Sequence, residues 1–317
     1  MFDQHELLLS IIILNYNTKT ETYNCIRSIT KSRPDFNYEI ILVDNNSIDG
    51  SIEFIGVEFP SVKIIKLSSN KGFSYANNAG FEHSNGEYVL FLNSDTLFLS
   101  NTMNCIGRVI SSKSYTVIAP KLLNEDGTTQ KSLFTFPSYI RTFIRISGIH
   151  DVFSSLIFSN SLGTSKNILQ FDYSSFAAVI FRKDIFEMVG RLDTKILFYH
   201  EDCDMGFKLK NNSIESKFMK EIEIVHLGGT STSNFSQFAF QNDVYSLRYV
   251  FAKNYGKYSE YFIRIVLKSA IALRCLTVIL GLNNGIRGFR IYKSFQNKVS
   301  MSKKKYLVFL LKIFRDI

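Results

Sequence analysis

The sequence is poor in residues that break or cross-link a chain. Its 317 residues include four prolines, seventeen glycines and four cysteines, and no tryptophan. So few prolines and glycines exclude collagen-like and low-complexity proteins, and no internal repeat is found. Apolar residues make up 45% and charged residues 21%, which excludes disorder as the main state. We therefore predict one large domain, or one domain with an appendage.

The cysteines, at positions 25, 105, 203 and 275, form neither a C-x-x-C pair nor a zinc-like cluster with histidine. This spacing predicts neither a disulfide framework nor a structural zinc site. The first six residues are acidic where a secretory signal would be basic, and the apolar run Leu7–Leu14 is too short to span a bilayer. We therefore expect an unprocessed, cytoplasmic chain.

The positive charge lies in the C-terminal part of the sequence. Residues 253–317 hold fourteen lysines and arginines against two acids, a net charge of +12, whereas residues 1–252 carry a net charge of −3. A nucleic-acid-binding protein is suggested only by the overall charge of +9, and no binding motif accompanies it. We predict a main domain over 1–252, an extension over 253–317, and no nucleic-acid partner.

This extension is also apolar, notably over Tyr261–Leu282. On a helix, Arg264, Lys268 and Arg274 fall within an arc of roughly 120° beside an apolar face. Three charges argue against a membrane span, whereas cations beside apolar residues suit anionic lipid headgroups. The pattern predicts a basic, amphipathic helical extension on a membrane surface; the alternative is a helix packed on the main domain with solvated lysines.

The N-terminal part alternates between apolar runs and helical spacing. A helix is predicted over Thr20–Thr30, where Tyr23, Ile26 and Ile29 recur at helical spacing. Four buried strands are predicted at Leu8–Leu14, Glu39–Val43, Lys63–Leu67 and Tyr88–Leu92. This order is a βαβ arrangement, so we predict an α/β fold with an open, mostly parallel, Rossmann-like sheet flanked by helices.

Polar clusters follow three of these strands, at Asn15–Asn17, Asp44–Ser47 and Asn93–Asp95. Ligands of open α/β sheets lie beyond the carboxyl ends of the strands, so we expect the three clusters to line one crevice. No G-x-G-x-x-G follows the first strand and no Walker A loop is present, which excludes a dehydrogenase site. The segment Asn70–Gly80 looks like a turn into a helix whose free N–H groups could face an anion.

Taken in order, six motifs resemble the family-2 glycosyltransferases with the GT-A fold. The resemblance runs from about Leu9 to Ser231, and the Leu-Asn-x-Asp spelling at 92–95 is similar to bacterial rhamnosyltransferases of polysaccharide assembly. The motifs are S-I-I-I-L-N-Y-N at 10–17, I-L-V-D-N-N-S-I-D-G at 41–50, N-K-G-F-S-Y-A-N-N-A-G at 70–80, F-L-N-S-D at 91–95, F-Y-H-E-D-C-D-M at 198–205 and V-H-L-G-G-T-S at 225–231.

The resemblance implies a divalent cation, Mg²⁺ or Mn²⁺, held by Asp95 and by His226, which could instead contact the diphosphate. Such a cation stabilises the negative charge that develops when a sugar leaves a nucleoside diphosphate. Asn93 stands where the family often has a second aspartate. Taken alone, Asp95 could equally be an exposed turn carboxylate and His226 a core histidine.

The nucleotide side of the donor site also follows from the resemblance. Asp44 resembles the aspartate that accepts the imide N–H shared by uracil and thymine, although an aspartate before Asn-Asn is otherwise an ordinary turn. Asn77 stands where many relatives carry an arginine that contacts the diphosphate. The implied nucleotide and donor contacts are Asn15, Asn17, Asp44, Asn46, Asn70, Gly72, Asn77 and Asn93.

Inversion at the anomeric carbon requires a base beside the acceptor hydroxyl. Family position points to Asp202 as this base and to Glu201 as a residue that orients the acceptor or Asp202, whereas Asp204 is expected to be structural. These acids also begin a predicted helix that runs to about Lys210, where acids complement the helix dipole. We expect the helix N-terminus to keep Asp202 ionised, and the segment Phe134–Gln170 to shape the acceptor side.

The sequence thus predicts an inverting, metal-dependent glycosyltransferase of cell-surface polysaccharide assembly. The expected donor is dTDP-rhamnose, and the expected acceptor is a polyprenyl-diphosphate-linked oligosaccharide at the cytoplasmic membrane face. A UDP-sugar donor, with galactofuranosyl or hexosyl transfer, is the alternative within the same fold. A non-catalytic nucleotide-binding relative is the other alternative, and the joint presence of Asp44, Asp95, Asp202 and His226 argues against it.

Overall fold

The computed structural model describes residues 7–32, 34–148, 171–228, 236–279 and 303–317. Within these ranges the strands are β1 (Leu7–Asn15), β2 (Asn37–Asp44), β3 (Lys63–Lys66), β4 (Tyr88–Asn93), β5 (Thr96–Phe98), β6 (Val117–Leu123), β7 (Leu133–Phe134), β8 (Tyr173–Ser174), β9 (Ala178–Arg182) and β10 (Ser216–His226). The helices are α1 (Lys19–Thr30), α2 (Ser51–Glu58), α3 (Phe73–Glu82), α4 (Thr102–Ser111), α5 (Tyr139–Ser147), α6 (Lys183–Met188), α7 (Glu201–Asn211), α8 (Ser236–Asn254), α9 (Ser259–Ile279) and α10 (Lys303–Asp316).

Eight strands form one sheet in the order β3-β2-β1-β4-β9-β6-β10-β5. The pairs β3–β2, β2–β1, β1–β4 and β6–β10 are parallel, whereas β9 and β5 run against their neighbours. The carboxyl ends of β1, β2, β4 and β10 therefore point to one edge of the sheet. This α/β architecture, with a mostly parallel open sheet, confirms the predicted fold.

The apolar run of β1 is buried on both faces, as expected of a parallel strand between helices. Ile11 and Ile13 pack into one core with α1 and α4, and Ile12 packs into a second core with α3. The four predicted strands and the predicted helix over Thr20–Thr30 are present, each within two residues of its predicted ends.

The chain divides into two compact units, one formed by 1–134 with 172–231 and the other by 135–171 with 232–317. The predicted boundary after residue 252 falls inside α8, which spans Ser236–Asn254. The whole helix belongs to the second unit, since Val244 and Leu247 lie in the core of that unit. Helix α5, in the segment predicted to shape the acceptor side, also belongs to the second unit; residues 149–170 of that segment lie outside the described ranges.

The second unit is helical in its described part. α5, α8, α9 and α10 surround a core that includes Phe251, Ile263, Leu267 and Leu310. Helices are therefore present in the C-terminal part, as the sequence predicts. None of the helices in the described ranges combines the length and the apolar character that a membrane span requires.

Arg274 does not belong to the exposed basic face that the sequence predicts. Its side chain is buried, and its guanidinium donates to the Tyr306 hydroxyl (3.0 Å) and to the Ile146 carbonyl (2.8 Å). It also lies over the ring of Phe240, 5.0 Å from the centroid. Helical periodicity, at 100° per residue, places Arg274 near the other cations of α9, but it cannot show that α5, α8 and α10 cover this side of the helix.

Candidate active site

Asn15 joins the ends of β1 and β2 and the beginnings of α1 and α2. The side chain is fully buried, and its Nδ2 lies 2.9 Å from Asp44 Oδ1 and 2.7 Å from Ser51 Oγ. Its Oδ1 accepts from the hydroxyls of Thr18 (2.9 Å) and Thr22 (2.8 Å). With these contacts Asn15 fixes the two loops and orients Asp44.

The two loops that Asn15 joins also hold each other through exposed residues. Asn17 and Asn46 both have positive φ, 54° and 69°, which asparagine tolerates better than most residues. The Asn17 side chain accepts from the Ile48 amide (2.8 Å), and the Asn17 amide donates to Ser47 Oγ (3.0 Å). The first two predicted clusters therefore form one surface.

The third cluster adjoins the first, since the Thr18 and Ser94 hydroxyls lie 3.0 Å apart. Asn93 is half-buried at the end of β4, and its amide donates to the Ala177 carbonyl (3.0 Å). The structure thus brings the three strand-end clusters to one edge of the sheet, as the sequence predicts.

The loop before α3 is fixed from two sides. Asn45, a residue that sequence reasoning did not single out, is buried and joins Asn70: its Nδ2 donates to Asn70 Oδ1 (2.8 Å), and its Oδ1 accepts from the Lys71 amide. Gly72 has φ 86° and lies against Leu197, whose carbonyl accepts from the Phe73 amide (2.9 Å). The loop at 70–73 is therefore held against the segment that leads to Glu201.

Asn77 is used inside its own helix. Its side chain is buried, and Nδ2 donates to the Phe73 carbonyl one turn earlier (3.0 Å). Of the implied donor contacts, Asn15, Asp44 and Asn77 are thus buried by the protein itself, whereas Asn17, Asn46 and Asn70 are exposed.

Asp95 and His226 meet where β5 pairs with β10. Thr96 is in register with His226, and His226 Nε2 lies 3.3 Å from Asp95 Oδ1. Both side chains are mostly buried, with 8% of Asp95 and 16% of His226 exposed. The two residues implied as metal ligands, which are 131 positions apart in the chain, are therefore in contact.

Gln130 is a neighbour of His226 that sequence reasoning missed. Its Oε1 lies 2.6 Å from His226 Nδ1, and its Nε2 donates to the His226 carbonyl (3.1 Å). The Asp126-Gly127 pair indicates a turn shortly before Gln130, but only the folded sheet places this turn beside the end of β10.

Glu201 and Asp202 begin α7 after a strained turn. Tyr199 and His200 both have positive φ, 65° and 66°, a conformation that is uncommon for such residues and typical of functional sites. The Asp202 carboxylate accepts from the Cys203 amide (2.7 Å), whereas Glu201 Oε2 is buried and has no hydrogen-bond partner in the described part of the chain.

Burial governs the protonation of both acids. It raises the pKa of Glu201 to about 8, with a further contribution from the negative charge of Asp202. Burial also raises the pKa of Asp202, against a smaller lowering by His200 and by the hydrogen bond from the Cys203 amide. Desolvation therefore acts on the pKa of Asp202 against the helix N-terminus, which is predicted to keep this carboxyl ionised.

The acidic pair is connected to the end of β4 by a short path. α7 packs on β8, where Tyr173 forms a hydrogen bond with the Cys203 side chain. β8 leads directly to Ala177, whose carbonyl accepts from the Asn93 amide. Asp204 is buried 3.8 Å from Lys208, as expected of a structural residue.

The contact between Asp95 and His226 fits one side of a divalent-cation site. Ligands at right angles and ~2.1 Å from an ion lie about 3 Å apart, close to the observed 3.3 Å. No group of three or more His, Cys, Asp or Glu side chains suited to a metal occurs among the described residues.

A mostly parallel open sheet flanked by helices, whose carboxyl edge carries clustered asparagines and a carboxylate–imidazole pair, has the architecture of the GT-A fold. The family model "Glycosyl transferase family 2" matches residues 10–185. The chain therefore belongs to glycosyltransferase family 2 and acts on nucleotide sugars.

Three known proteins show how widely this similarity extends. The low-salt glycan biosynthesis hexosyltransferase Agl10 of Haloferax volcanii is 21% identical over 277 residues, which is 84% of each chain. The N-acetylglucosaminyl-diphospho-decaprenol L-rhamnosyltransferase of Mycobacterium tuberculosis is 22% identical over 71% of this chain and 78% of its own. The mannosyltransferase PcManGT of Pyrobaculum calidifontis, solved with GDP-Man and Mn²⁺, has a TM-score of 0.54 at 12% identity, over 98% of this chain and 85% of its own.

Proposed function

We propose that this protein is an inverting, metal-dependent glycosyltransferase that transfers rhamnose from dTDP-rhamnose to a polyprenyl-diphosphate-linked oligosaccharide during cell-surface polysaccharide assembly. The observation that carries the proposal is the contact between Asp95 and His226 at the carboxyl edge of the sheet. A carboxylate and an imidazole nitrogen are suitable ligands for Mn²⁺ or Mg²⁺. When bound there, the cation would neutralise the diphosphate leaving group.

The nucleotide side of the site supports a pyrimidine nucleotide. Asp44 is held by Asn15 and by the Ser47 amide, so its position is fixed before a ligand arrives. A carboxylate accepts the imide N–H that uracil and thymine share, and it would repel a base that presents only acceptors there. The exposed side chains of Asn17, Asn46 and Asn70 are available around it.

The acceptor side rests on Glu201 and Asp202. At neutral pH Glu201, with a pKa of about 8, keeps its proton, which removes a negative charge beside Asp202. In the proposed reaction the Asp202 carboxylate takes the proton of the attacking hydroxyl as that oxygen bonds to the anomeric carbon and the bond from this carbon to the diphosphate oxygen breaks. Glu201 orients the acceptor or Asp202.

The choice of donor and acceptor is supported by the mycobacterial relative, which by its name transfers L-rhamnose to a sugar on decaprenyl diphosphate. The second candidate, a UDP-sugar donor with hexosyl or galactofuranosyl transfer, is favoured by the relative named as a hexosyltransferase. The identities of 22% and 21% are too close to rank these two.

A lipid-linked acceptor requires the enzyme to work at a membrane, and α9 offers a suitable surface. Its exposed stripe, at helical spacing, consists of Tyr261, Phe262, Ile265, Leu276 and Ile279, with 46–65% of each side chain exposed. Arg264 and Lys268 flank this stripe, and α10 adds exposed Val308 and Leu311 beside Lys304, Lys312 and Arg315. We propose that this surface binds an anionic bilayer at the inner face of the cell membrane.

The proposal is tested by the shift in melting temperature with dTDP, UDP, GDP or NAD, each with and without Mn²⁺, because a ligand of the native state raises its stability. A metal-dependent shift, larger for dTDP than for UDP, is expected in the wild type and absent in Asp95→Ala. A larger shift for UDP would replace the donor by the second candidate. Equal shifts with and without Mn²⁺, or an unchanged response of Asp95→Ala, would refute the metal assignment.

A further inference from the structure

We infer that Gln130 is a positioning residue that keeps a proton on Nδ1 of His226 and turns Nε2 towards Asp95. The observation behind this inference is the double contact between the Gln130 side-chain amide and His226. The tautomer follows from the geometry of the protein alone; only its consequence for metal binding rests on the proposed function.

The orientation of the Gln130 amide is fixed by a backbone carbonyl. The His226 carbonyl can only accept, so the Gln130 atom 3.1 Å from it must be the NH₂ group. The same NH₂ group donates to Asn124 Oδ1 (3.1 Å). The other amide atom is then oxygen, and an oxygen 2.6 Å from His226 Nδ1 requires a proton on that nitrogen.

Gln130 is itself held by the turn that precedes it. Its backbone N–H donates to the Leu122 carbonyl (2.8 Å), and the Asn124 backbone N–H donates to the Thr128 carbonyl (2.8 Å) to close the turn. Asn124 Nδ2 also donates to Thr128 Oγ1 (2.9 Å), which directs Asn124 Oδ1 towards Gln130. The side-chain amide of Gln130 is thus fixed before any ligand binds.

This tautomer has a consequence at Asp95. With Nδ1 protonated, a neutral His226 presents only a lone pair at Nε2, 3.3 Å from a carboxylate oxygen. Two acceptors that face each other at this distance are unfavourable unless a metal cation, or a second proton on the imidazole, lies between them. Gln130 therefore prepares His226 as a ligand, in the way that outer hydrogen bonds commonly orient metal-binding histidines.

The tautomer can be measured directly in the metal-free protein. The protein has five histidines, so ¹⁵N labelling of imidazole rings gives few signals, and His226→Ala identifies the one that belongs to His226. The expected ¹⁵N shift at Nδ1 is that of a protonated nitrogen. A protonated Nε2 with an unprotonated Nδ1 in the wild type would overturn the inference.

The role of Gln130 is tested with Gln130→Leu and Gln130→Glu. The Leu variant loses the acceptor and should give a mixture of tautomers and Mn²⁺ binding about 10- to 100-fold weaker, by electron paramagnetic resonance with UDP or dTDP present. The Glu variant keeps an acceptor at the same position and should keep the Nδ1 proton and bind Mn²⁺ within a few-fold of wild type. Glu125→Gln, which changes an exposed residue of the same turn, is the matched control.

The outcomes separate this inference from the proposed function. If Gln130→Leu melts like wild type and keeps the wild-type tautomer, Gln130 does not position His226 and the inference is wrong. If the tautomer changes as expected while the wild type binds no Mn²⁺ with any nucleotide, Gln130 positions His226 as inferred and the metal-dependent function fails instead. Should Gln130→Leu fold poorly, the Glu variant still tests whether an acceptor is sufficient.

Discussion

The Phe73 amide donates to the Leu197 carbonyl across 2.9 Å, and a Cβ on Gly72 would lie 2.7 Å from that same oxygen. This contact holds the loop before α3 against the segment that leads to the acidic pair. It depends on a glycine both because of the close approach and because φ of Gly72 is 86° with ψ 171°.

Gly72→Ala should therefore lower stability by about 1–3 kcal/mol from backbone strain, with a further loss as the loop moves away from Leu197. Gly190→Ala is the control, since Gly190 has nearly the same φ, 85°, with no atom within 4 Å of the added Cβ. Chemical denaturation and nucleotide titration should show weaker nucleotide binding only for Gly72→Ala. Equal effects of the two variants would show that the contact with Leu197 is unimportant.

Asp202→Asn should reduce kcat about 10²- to 10⁴-fold and leave nucleotide binding nearly unchanged, because an amide cannot take the acceptor proton. Asp204→Asn, in the same helix, should lower the melting temperature and keep kcat within a few-fold, since Asp204 is buried near Lys208. Radiolabelled transfer assays and calorimetry measure both quantities. Normal turnover by Asp202→Asn would remove this residue as the base.

Glu201 should make the protein less stable as the pH rises from about 4.5 to 8. Its pKa is about 8 in the folded protein and near 4.5 when unfolded, so the folded state holds the extra proton in this window. Protonation of Glu201 therefore contributes its full stabilisation of the folded state below pH 4.5, and this contribution is lost above pH 8. Glu201→Gln should lack this decline and exceed wild type at pH 8.5 by on the order of 1–2 kcal/mol.

Melting curves between pH 5 and 9 check this prediction. Glu215→Gln, which changes an exposed glutamate, should follow the wild-type profile. A profile of Glu201→Gln parallel to wild type would show that Glu201 titrates at its ordinary pKa in the folded protein.

Arg274→Met should destabilise the helical unit by roughly 1–3 kcal/mol, because the Ile146 carbonyl and the Tyr306 hydroxyl each lose a buried donor. Arg264→Met should change stability by no more than about 0.5 kcal/mol, since this side chain is exposed. The sequence alone would rank the two substitutions as equal. Urea denaturation distinguishes them.

The exposed stripe of α9 should bind vesicles that contain anionic lipid. Changing Tyr261 and Ile265 together to serine removes two apolar side chains that would enter the bilayer, and should weaken binding more than tenfold. Val57→Ser on α2, where 76% of the side chain is exposed, is the control and should bind like wild type. Unchanged sedimentation of the double variant with vesicles would refute the membrane surface.

The patterns that predicted the fold are local ones. The apolar run of β1 and the periodicity of Tyr23, Ile26 and Ile29 require burial on defined faces, so they identify a strand and a helix without knowledge of their partners. The order of these elements then restricts the sheet to an α/β arrangement. Motif order likewise predicted Asp95, His226, Glu201 and Asp202 as site residues, and the structure shows that Asp95 and His226 are in contact.

Contacts between distant segments were decided by the tertiary structure. The sequence determined which side chains stand at the ends of the strands, since side-chain type and strand-end position are properties of the chain itself. Gln130 became a neighbour of His226, and Arg274 became buried between four helices, only through packing that spans about 100 residues. The raised pKa of Glu201 has the same origin, because desolvation depends on everything that surrounds a carboxyl group and not on its neighbours in sequence.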